Sequence, residues 1–183
     1  MPIRIIKPTT PGQRKMSVDA FSDLTRSKRE KSLCVMLPQK AGRDAQGHIT
    51  VRHREGGAKR YYRMIDFKQD KYDQVGVVQS IEYDPYRSAR IALIKYDDQE
   101  SRYVIAQDGL KPGDQIVSSL KAIPPHVGNR MPLKFIPVGQ FISNIELKPR
   151  TKAMFARSAG NSAKLLAIEA GLAQVILPSR EVR

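Results

Sequence analysis

The segment VRHREGGAKRYYR, residues 51–63, gathers basic side chains around two adjacent glycines. Its cationic or imidazole-bearing residues are Arg52, His53, Arg54, Lys59, Arg60 and Arg63. Because like charges repel, such a cluster indicates an anionic ligand, and lysine and arginine neutralise nucleic-acid phosphates. Gly56 and Gly57 let the backbone approach a ligand and leave N–H groups for phosphate oxygens. The segment therefore predicts a phosphate-binding loop, against the alternative of a solvated basic loop.

Two other turns carry arginine in a setting that suits a sugar-phosphate backbone. In FARSAGN, residues 155–161, small side chains follow an arginine in a compact turn, and the candidate contacts are Arg157, Ser158, Ala159 and Gly160. In DPYRSARIAL, residues 84–93, a proline turn presents Arg87 and Arg90. Each turn alone is a weak signal, and both are candidate RNA contacts beside the segment 51–63.

The tyrosine pair that follows the glycines has two roles open to it. Aromatic rings stack on bases in RNA-binding sheets, and Tyr61 and Tyr62 adjoin the basic loop. Successive side chains of a strand point to opposite faces. We therefore expect at most one tyrosine to face RNA and the other to join the core.

The sequence offers little for catalysis or metal binding. The three histidines are scattered through loop-like sequence without ligand spacing, no nucleophile or zinc motif occurs, and Asp97 and Asp98 suit a solvated turn. Cys34 is the only cysteine, which excludes a disulfide within the chain and fits a reducing compartment. We expect a protein that is not an enzyme and has no cofactor, with structural Mg²⁺ held through RNA as the only ion to consider.

Charge is the strongest compositional signal. The 183 residues carry a formal net charge of +14 at pH 7, which selects nucleic acid or an anionic membrane surface as partner. By region, 16 Lys/Arg stand against 7 Asp/Glu over 1–70, 9 against 8 over 71–145, and 7 against 3 over 146–183. No apolar run approaches the roughly 18 residues of a membrane span. The pattern predicts a globular middle between two basic parts, and no membrane partner.

Period-two patterns predict a mainly β protein. Strands are expected over 60–67, 75–84, 89–98, 101–107 and 114–119, separated by turn-forming residues, and again over 141–148 and 172–183. Over 162–170, alanine and leucine favour helix, whereas Gly171 and the apolar run after it suit a hairpin, and we expect a strand. Residues 1–50 are rich in proline and lysine or arginine and predict an extended arm with at most one helical turn, with a solvated disordered tail as the alternative. We expect this arm to order only on RNA.

Taken together, these stretches resemble the family of large-subunit ribosomal protein uL2 of the bacterial and organellar type. The similar segments are KPTTPGQRK (7–15), GHITVRHREGGAKRYYRMIDFKQDK (47–71), IEYDPYRSARIAL (81–93), RYVIAQDGLKPGDQI (102–116), VGNRMPLKFIPVGQFISNIELKP (127–149), ARSAGNSAKLLA (156–167) and LPSREVR (177–183). They cover most of the chain from residue 47 onward, in the order of the family.

The resemblance implies an organisation and a function. It implies a basic arm and RNA-facing loop over 1–59, an OB-fold domain over 60–118, a linker over 119–133 and an incomplete SH3-like barrel over 134–183. It implies a structural constituent of the large ribosomal subunit that binds large-subunit rRNA near the subunit core and supports subunit association and the peptidyl-transferase region in translation. A free-standing OB-fold nucleic-acid-binding protein is the alternative. The implied partners are rRNA and other ribosomal proteins.

The sequence departs from the family pattern at several turns. Glu55 and Arg180 stand where the family usually has glycine, Ala58 stands where it has histidine, and PRTKAMF (149–155) replaces a glycine-rich loop and adds Arg150. The family also continues beyond the LPSREVR segment. This leads to the expectation of a separate polypeptide that supplies the C-terminal half beside an open edge at 172–183, or else of a fragment. We expect a mitochondrial ribosome, with the bacterial cytoplasm as the alternative.

Overall fold

A computed structural model describes residues 2–26 and 28–183; Met1 and Ser27, both in the expected arm, lie outside the described residues. The fold is mainly β, as expected, and the described residues contain no α-helix, only 3₁₀ helices at Pro11–Gln13 and Leu133–Phe135. The strands are β1 Ile3–Ile5, β2 Ser17–Asp19, β3 Cys34–Val35, β4 Tyr62–Arg63, β5 Val75–Glu82, β6 Ile91–Tyr96, β7 Ser101–Ile105, β8 Gln115–Val117, β9 Phe141–Ile142, β10 Ile145–Glu146, β11 Ala153–Phe155, β12 Ala163–Glu169 and β13 Leu172–Ile176. None of the described residues forms a helix long and apolar enough to cross a membrane.

The largest sheet is antiparallel, with strand order β7-β6-β5-β8. Strand β6 is buried on both faces, which explains its continuous apolar run. Ala92 and Ile94 face one cluster that includes Val78, whereas Ile91 and Leu93 face a second cluster around Tyr103. Leu33 and Ile65 pack on the second cluster, so the sheet also holds segments from either side of the basic loop.

The N-terminal arm folds on this sheet. Strands β1 and β2 form a hairpin, and the guanidinium of Arg90 binds the carboxylates of Asp19 and Asp23. Thr25 and Ile81 exchange hydrogen bonds, with the Thr25 N–H donating to the Ile81 carbonyl at 3.0 Å. These contacts argue against the expectation that residues 1–50 order only on RNA. The carboxylates of Asp19 and Asp23 already bind Arg90 of the sheet in the protein alone.

Three expected strands are much shorter than the patterns predicted, and the one expected over 172–183 is reduced to β13 at Leu172–Ile176. The strand expected over 60–67 is reduced to β4, which pairs only with β3; beyond it Ile65 makes an isolated bridge to Tyr103. The strand expected over 141–148 is divided into β9 and β10 by Asn144, whose φ is 55°. This left-handed residue redirects the chain, so β9 pairs with β12 and β10 pairs with β11.

The C-terminal unit is a sheet of order β13-β12-β9, and the expected strand over 162–170 is confirmed by β12. Ala163, Leu165 and Val175 form its buried centre. The edge expected to be open at 172–183 is partly closed by the chain itself. Val175 N–H donates to the Arg183 carbonyl at 2.7 Å, and Arg183 N–H returns a bond at 3.0 Å. The expectation of an open edge is therefore wrong at Val175.

Candidate nucleic-acid interface

The basic loop at 51–60 is exposed at every residue. Its backbone enters the left-handed region at His53 (φ 59°), Glu55 (φ 51°) and Gly56 (φ 77°). At Gly56 and Gly57, a Cβ atom would meet nothing within 4 Å. The two glycines therefore leave open space beside the backbone that a ligand can approach. Glu55 adopts the conformation that favours glycine, which accounts for the glycine usual at this position in the resembled family.

A small lobe, formed by residues 41–50, precedes the loop and fixes its position. The Gly42 carbonyl accepts hydrogen bonds from the N–H groups of Thr50 (2.9 Å) and Val51 (3.2 Å). A Cβ at residue 42 would lie 2.1 Å from the Val51 carbonyl oxygen, so only glycine allows this approach. The Glu55 carboxylate accepts a hydrogen bond from the Ala41 N–H at 2.8 Å. The Glu55 carboxylate thus binds a backbone N–H group. It makes no ion pair with the neighbouring arginines in the described structure.

The basic side chains of this loop have no carboxylate partners within the described ranges. Ion pairs engage other arginines and lysines, but none engages Arg52, Arg54, Lys59, Arg60 or Arg157. Their charge is therefore available to an external anion, and in water it would be screened only by mobile ions.

A second basic site forms where the turns 84–90 and 156–161 meet. The Ala159 N–H donates to Ser88 Oγ at 3.2 Å. Arg157 and Arg87 both lie over the Phe67 ring, with Cζ-to-centroid distances of 4.9 and 5.8 Å. The structure therefore brings together two turns that are about 70 residues apart in the chain.

Asp84 holds the turn that presents Arg87. Its buried carboxylate accepts from Arg87 Nε at 2.6 Å and from the Tyr86 N–H at 2.9 Å. The remaining guanidinium nitrogens of Arg87 stay free of carboxylates in the described chain. The bond to Asp84 therefore orients Arg87 without using up its donors. A guanidinium has five N–H donors, and the others stay available to an anion.

Arg90 has a different environment from the other candidate contacts. It is 9% exposed, and Asp19 and Asp23 accept its hydrogen bonds. The hydrogen bond from Arg90 is the main cause that lowers the pKa of Asp23, against the effect of burial. Arg90 therefore fixes the arm, and it has little surface left for RNA.

The two tyrosines are both half-buried. Tyr62 makes an edge-to-face contact with Tyr86 at 5.5 Å between centroids, and Arg29 covers the Tyr61 ring at 3.8 Å. Neither ring lies in the two buried clusters of the large sheet. The expectation that one of them joins the core is therefore wrong. Both rings stay half-buried near the surface, Tyr61 against Arg29 and Tyr62 against Tyr86.

An acidic network occupies another part of the large sheet. Arg102 binds Asp66, Asp70 and Glu100, and Lys71 binds Asp98 and Glu100. Hydrogen bonds from these cations lower the pKa of Asp70, Asp98 and Glu100. Here the charges compensate one another. Among the described residues no group of three or more His, Cys, Asp or Glu is placed to hold a metal ion.

Sequence patterns missed three residues that shape these sites. Phe67 was recognised only as part of a strand, Arg29 lies in the charged run 26–32, and Gly42 lies in the arm. The glycine within a polar stretch was a signal for a close backbone approach at Gly42. Nothing local marked Phe67 or Arg29, because their partners are distant in the chain.

Comparison with known proteins agrees with these observations. The profile described as "Ribosomal Proteins L2, RNA binding N-terminal domain" matches residues 30–118, and "Ribosomal Proteins L2, C-terminal domain" matches residues 126–183. The "Large ribosomal subunit protein uL2" of Christiangramia forsetii is 50% identical over 183 residues, which are 100% of this chain and 66% of that relative. The chain thus spans just under two thirds of that relative's length. Two successive domain profiles and an identity of 50% along the whole chain show that it belongs to the ribosomal protein L2 (uL2) family.

Proposed function

We propose that the chain is a structural constituent of the large ribosomal subunit that binds large-subunit rRNA near the subunit core and supports subunit association and the peptidyl-transferase region. The observation that carries this proposal is the exposed basic loop 51–60, whose cations have no carboxylate partners in the described structure. Family membership supports it, since the matched N-terminal profile is described as RNA-binding. A free-standing nucleic-acid binder is not favoured, because the N-terminal and C-terminal L2 domain profiles match one after the other along the chain.

The proposed RNA contacts fall into two groups. The loop supplies Arg52, His53, Arg54, Gly56, Gly57, Lys59 and Arg60, and Arg63 adjoins it in β4; the second basic site supplies Arg87, Arg157, Ser158, Ala159 and Gly160. Their role is to bind phosphate and sugar groups, since exposed cations and open backbone suit the RNA backbone more than base edges. Arg90 positions the arm and is not proposed as a direct contact.

The chemistry that we propose is binding alone. The chain acts as a non-enzyme without a cofactor of its own, and Mg²⁺ enters only as an ion held by the rRNA. The division into an arm with the RNA-facing loop over 1–59, an OB-fold domain over 60–118, a linker over 119–133 and an SH3-like barrel over 134–183 is part of the same proposal. The antiparallel sheet of β5 to β8 and the separate sheet of β9, β12 and β13 support it.

Other ribosomal proteins are proposed partners, together with a separate polypeptide that supplies further strands to the C-terminal unit. Its support is the exposure of apolar side chains on that sheet, where Phe141 of β9 is 73% and Leu172 of β13 is 75% exposed. A structure of the assembled subunit tests this: a foreign strand bonded beside residues 181–183 supports it, and solvent or rRNA there contradicts it. We propose a mitochondrial ribosome as the location, with the bacterial cytoplasm as the alternative.

The RNA-binding proposal is tested by salt-dependent filter binding to a transcript of bacterial large-subunit rRNA. Replacing Arg52, Lys59 and Arg60 together by Gln should lower the slope of log K against log salt by about 0.7–0.9 for each phosphate that the variant no longer binds. The matched control replaces Lys95, Lys111 and Lys121 by Gln, which removes the same charge outside the proposed contacts. Equal slopes for the two triple variants would show that the loop has no special part in binding.

A further inference from the structure

Arg29 and Arg63 are half-buried arginines that converge on Tyr61. The Cζ atom of Arg29 lies 3.8 Å from the centroid of the Tyr61 ring, and Arg63 Nη1 donates to the Tyr61 carbonyl at 2.8 Å. The Nε atoms of both arginines are buried and have no hydrogen-bond partner within residues 2–26 and 28–183. Two cations thus contact the same tyrosine with unused buried donors, which is costly without an anion.

The other buried or half-buried arginines of the described chain differ from this pair, because each of them binds a carboxylate. Those arginines and their partners are Arg26 with Glu30 and Glu82, Arg87 with Asp84, Arg90 with Asp19 and Asp23, Arg102 with Asp66, Asp70 and Glu100, and Arg130 with Glu146. No carboxylate of the described residues lies within ion-pair distance of Arg29 or Arg63. The fold supplies counter-charges generally, so their absence here points to a ligand.

The backbone holds both arginines in place before any ligand arrives. Strands β3 and β4 pair Cys34 with Arg63, and the Met64 N–H donates to the Leu33 carbonyl at 2.9 Å. On the other side, the Glu30 N–H donates to the hydroxyl of buried Tyr103 at 2.8 Å. Arg29 is therefore anchored through its neighbour, and Arg63 through its strand. Such preorganisation reduces the entropic cost of binding.

We propose that Arg29 and Arg63 form a clamp for one backbone phosphate of the RNA, with Tyr61 as its floor. This deepens the function proposed above, on which it rests, by assigning a contact to Arg29. Phosphate is the fitting anion because guanidinium groups bind its oxygens through paired N–H donors. The clamp adjoins the basic loop, since Arg60 lies three residues before Arg63. One continuous strand of RNA can therefore supply phosphates to both.

The first test uses single variants Arg29→Gln and Arg63→Gln in the salt-dependent binding assay. The clamp predicts that each variant still binds the large-subunit rRNA transcript, with a slope lowered by about 0.7–0.9. The control is Arg26→Gln, three residues from Arg29, whose charge is already compensated by Glu30 and Glu82. It should leave the slope unchanged. Thermal unfolding of each variant verifies that it is folded.

The second test uses Cys34, the only cysteine of the chain, as a native reporter. Burial raises the pKa of its thiol, while the nearby charges of Arg63 and Arg29 lower it. A phosphate in the clamp neutralises these charges, so fewer thiolates form and alkylation by iodoacetamide at pH 8 should slow several-fold when the rRNA transcript binds. In the Arg29→Gln, Arg63→Gln double variant, RNA should change the alkylation rate much less.

The outcomes separate this inference from the general function. Lowered slopes with Arg63- and Arg29-dependent protection of Cys34 support the clamp. RNA binding with unchanged slopes, or equal protection of Cys34 in the double variant, overturns the clamp and leaves the general function standing. A wild-type chain that does not bind the transcript removes both. If 10 mM inorganic phosphate alone protects Cys34 as fully as RNA does, the site takes free phosphate, and its assignment to the RNA backbone is wrong.

Discussion

Removing one hydroxyl group, by Tyr103→Phe, should destabilise the fold and loosen the arm. The Tyr103 side chain is 0% exposed, and its hydroxyl donates to Glu82 Oε2 at 2.7 Å while it accepts from the Glu30 N–H at 2.8 Å. The substitution leaves a carboxylate and an N–H group short of a partner in a buried place. Burial of the phenol and the adjacent carboxylate also raise the pKa of Tyr103, so the hydroxyl stays protonated as the donor.

The magnitude follows from these two bonds. A hydrogen bond to a charged group contributes about 1.5–3 kcal/mol, and an orphaned N–H costs about 1–3 kcal/mol. Glu82 keeps the Ser80 hydroxyl at 3.1 Å and Arg26 at 3.8 Å, which favours the lower end of the range for the lost bond to Glu82. Glu30 is only half-buried, which favours the lower half of the range for its orphaned N–H. The sum is about 3 kcal/mol, or about a hundredfold in the folding equilibrium.

Urea unfolding followed by circular dichroism measures this effect. With a slope of about 2 kcal/mol per molar urea, the midpoint should fall by about 1.5 M. The matched control is Tyr96→Phe: Tyr96 is 6% exposed in the same sheet and lies under Lys71, and none of the side-chain hydrogen bonds in the described chain uses its hydroxyl. Its midpoint should change by less than about 0.5 M. Equal shifts in the two variants would refute the assigned hydrogen-bond role.

Two further predictions concern the arm and the lobe. Arg90→Gln should expose amides of residues 2–25 to hydrogen exchange at pH 7, because Asp19 and Asp23 lose their partner. In the wild type the same loss should occur on acidification: the pKa of Asp23 is held below its ordinary value of 3.8, so its contribution is present above about pH 4 and disappears as the pH falls through the folded-state pKa. Protection that is independent of both changes would contradict this anchoring. Gly42→Ala should disrupt the lobe and weaken rRNA binding, since its Cβ would lie 2.1 Å from the Val51 carbonyl oxygen. The control Gly47→Ala has a φ of 89° and nothing within 4 Å of its Cβ, so it should add only backbone strain of about 1–2 kcal/mol. Binding that falls equally in both alanine variants would show that the close approach at Gly42 is unimportant.

The sequence alone determined the fold class and the basic character of the main candidate site. Alternation in β5 and the apolar run of β6 are local properties that require a sheet with at least one buried face. The strand at β12 was expected on weaker grounds: alanine and leucine favour helix there, whereas Gly171 and the apolar run after it favour the hairpin that β12 and β13 form. The exposed loop 51–60 was predictable for the same reason, since a dense basic cluster beside glycines cannot pack into a core.

Tertiary structure decided which arginines remain available to a ligand. Arg87 and Arg90 lie three residues apart in one turn. Arg87 lies over Phe67 beside Arg157, whereas Arg90 forms ion pairs with two carboxylates of the arm. Likewise, the pairing of β3 with β4, together with the hydrogen bond from the Glu30 N–H to Tyr103, brings Arg29 to Tyr61 and near Arg63. A local pattern records the charge of a side chain but not its distant partners, and the partner determines whether that charge is neutralised within the protein or left for RNA.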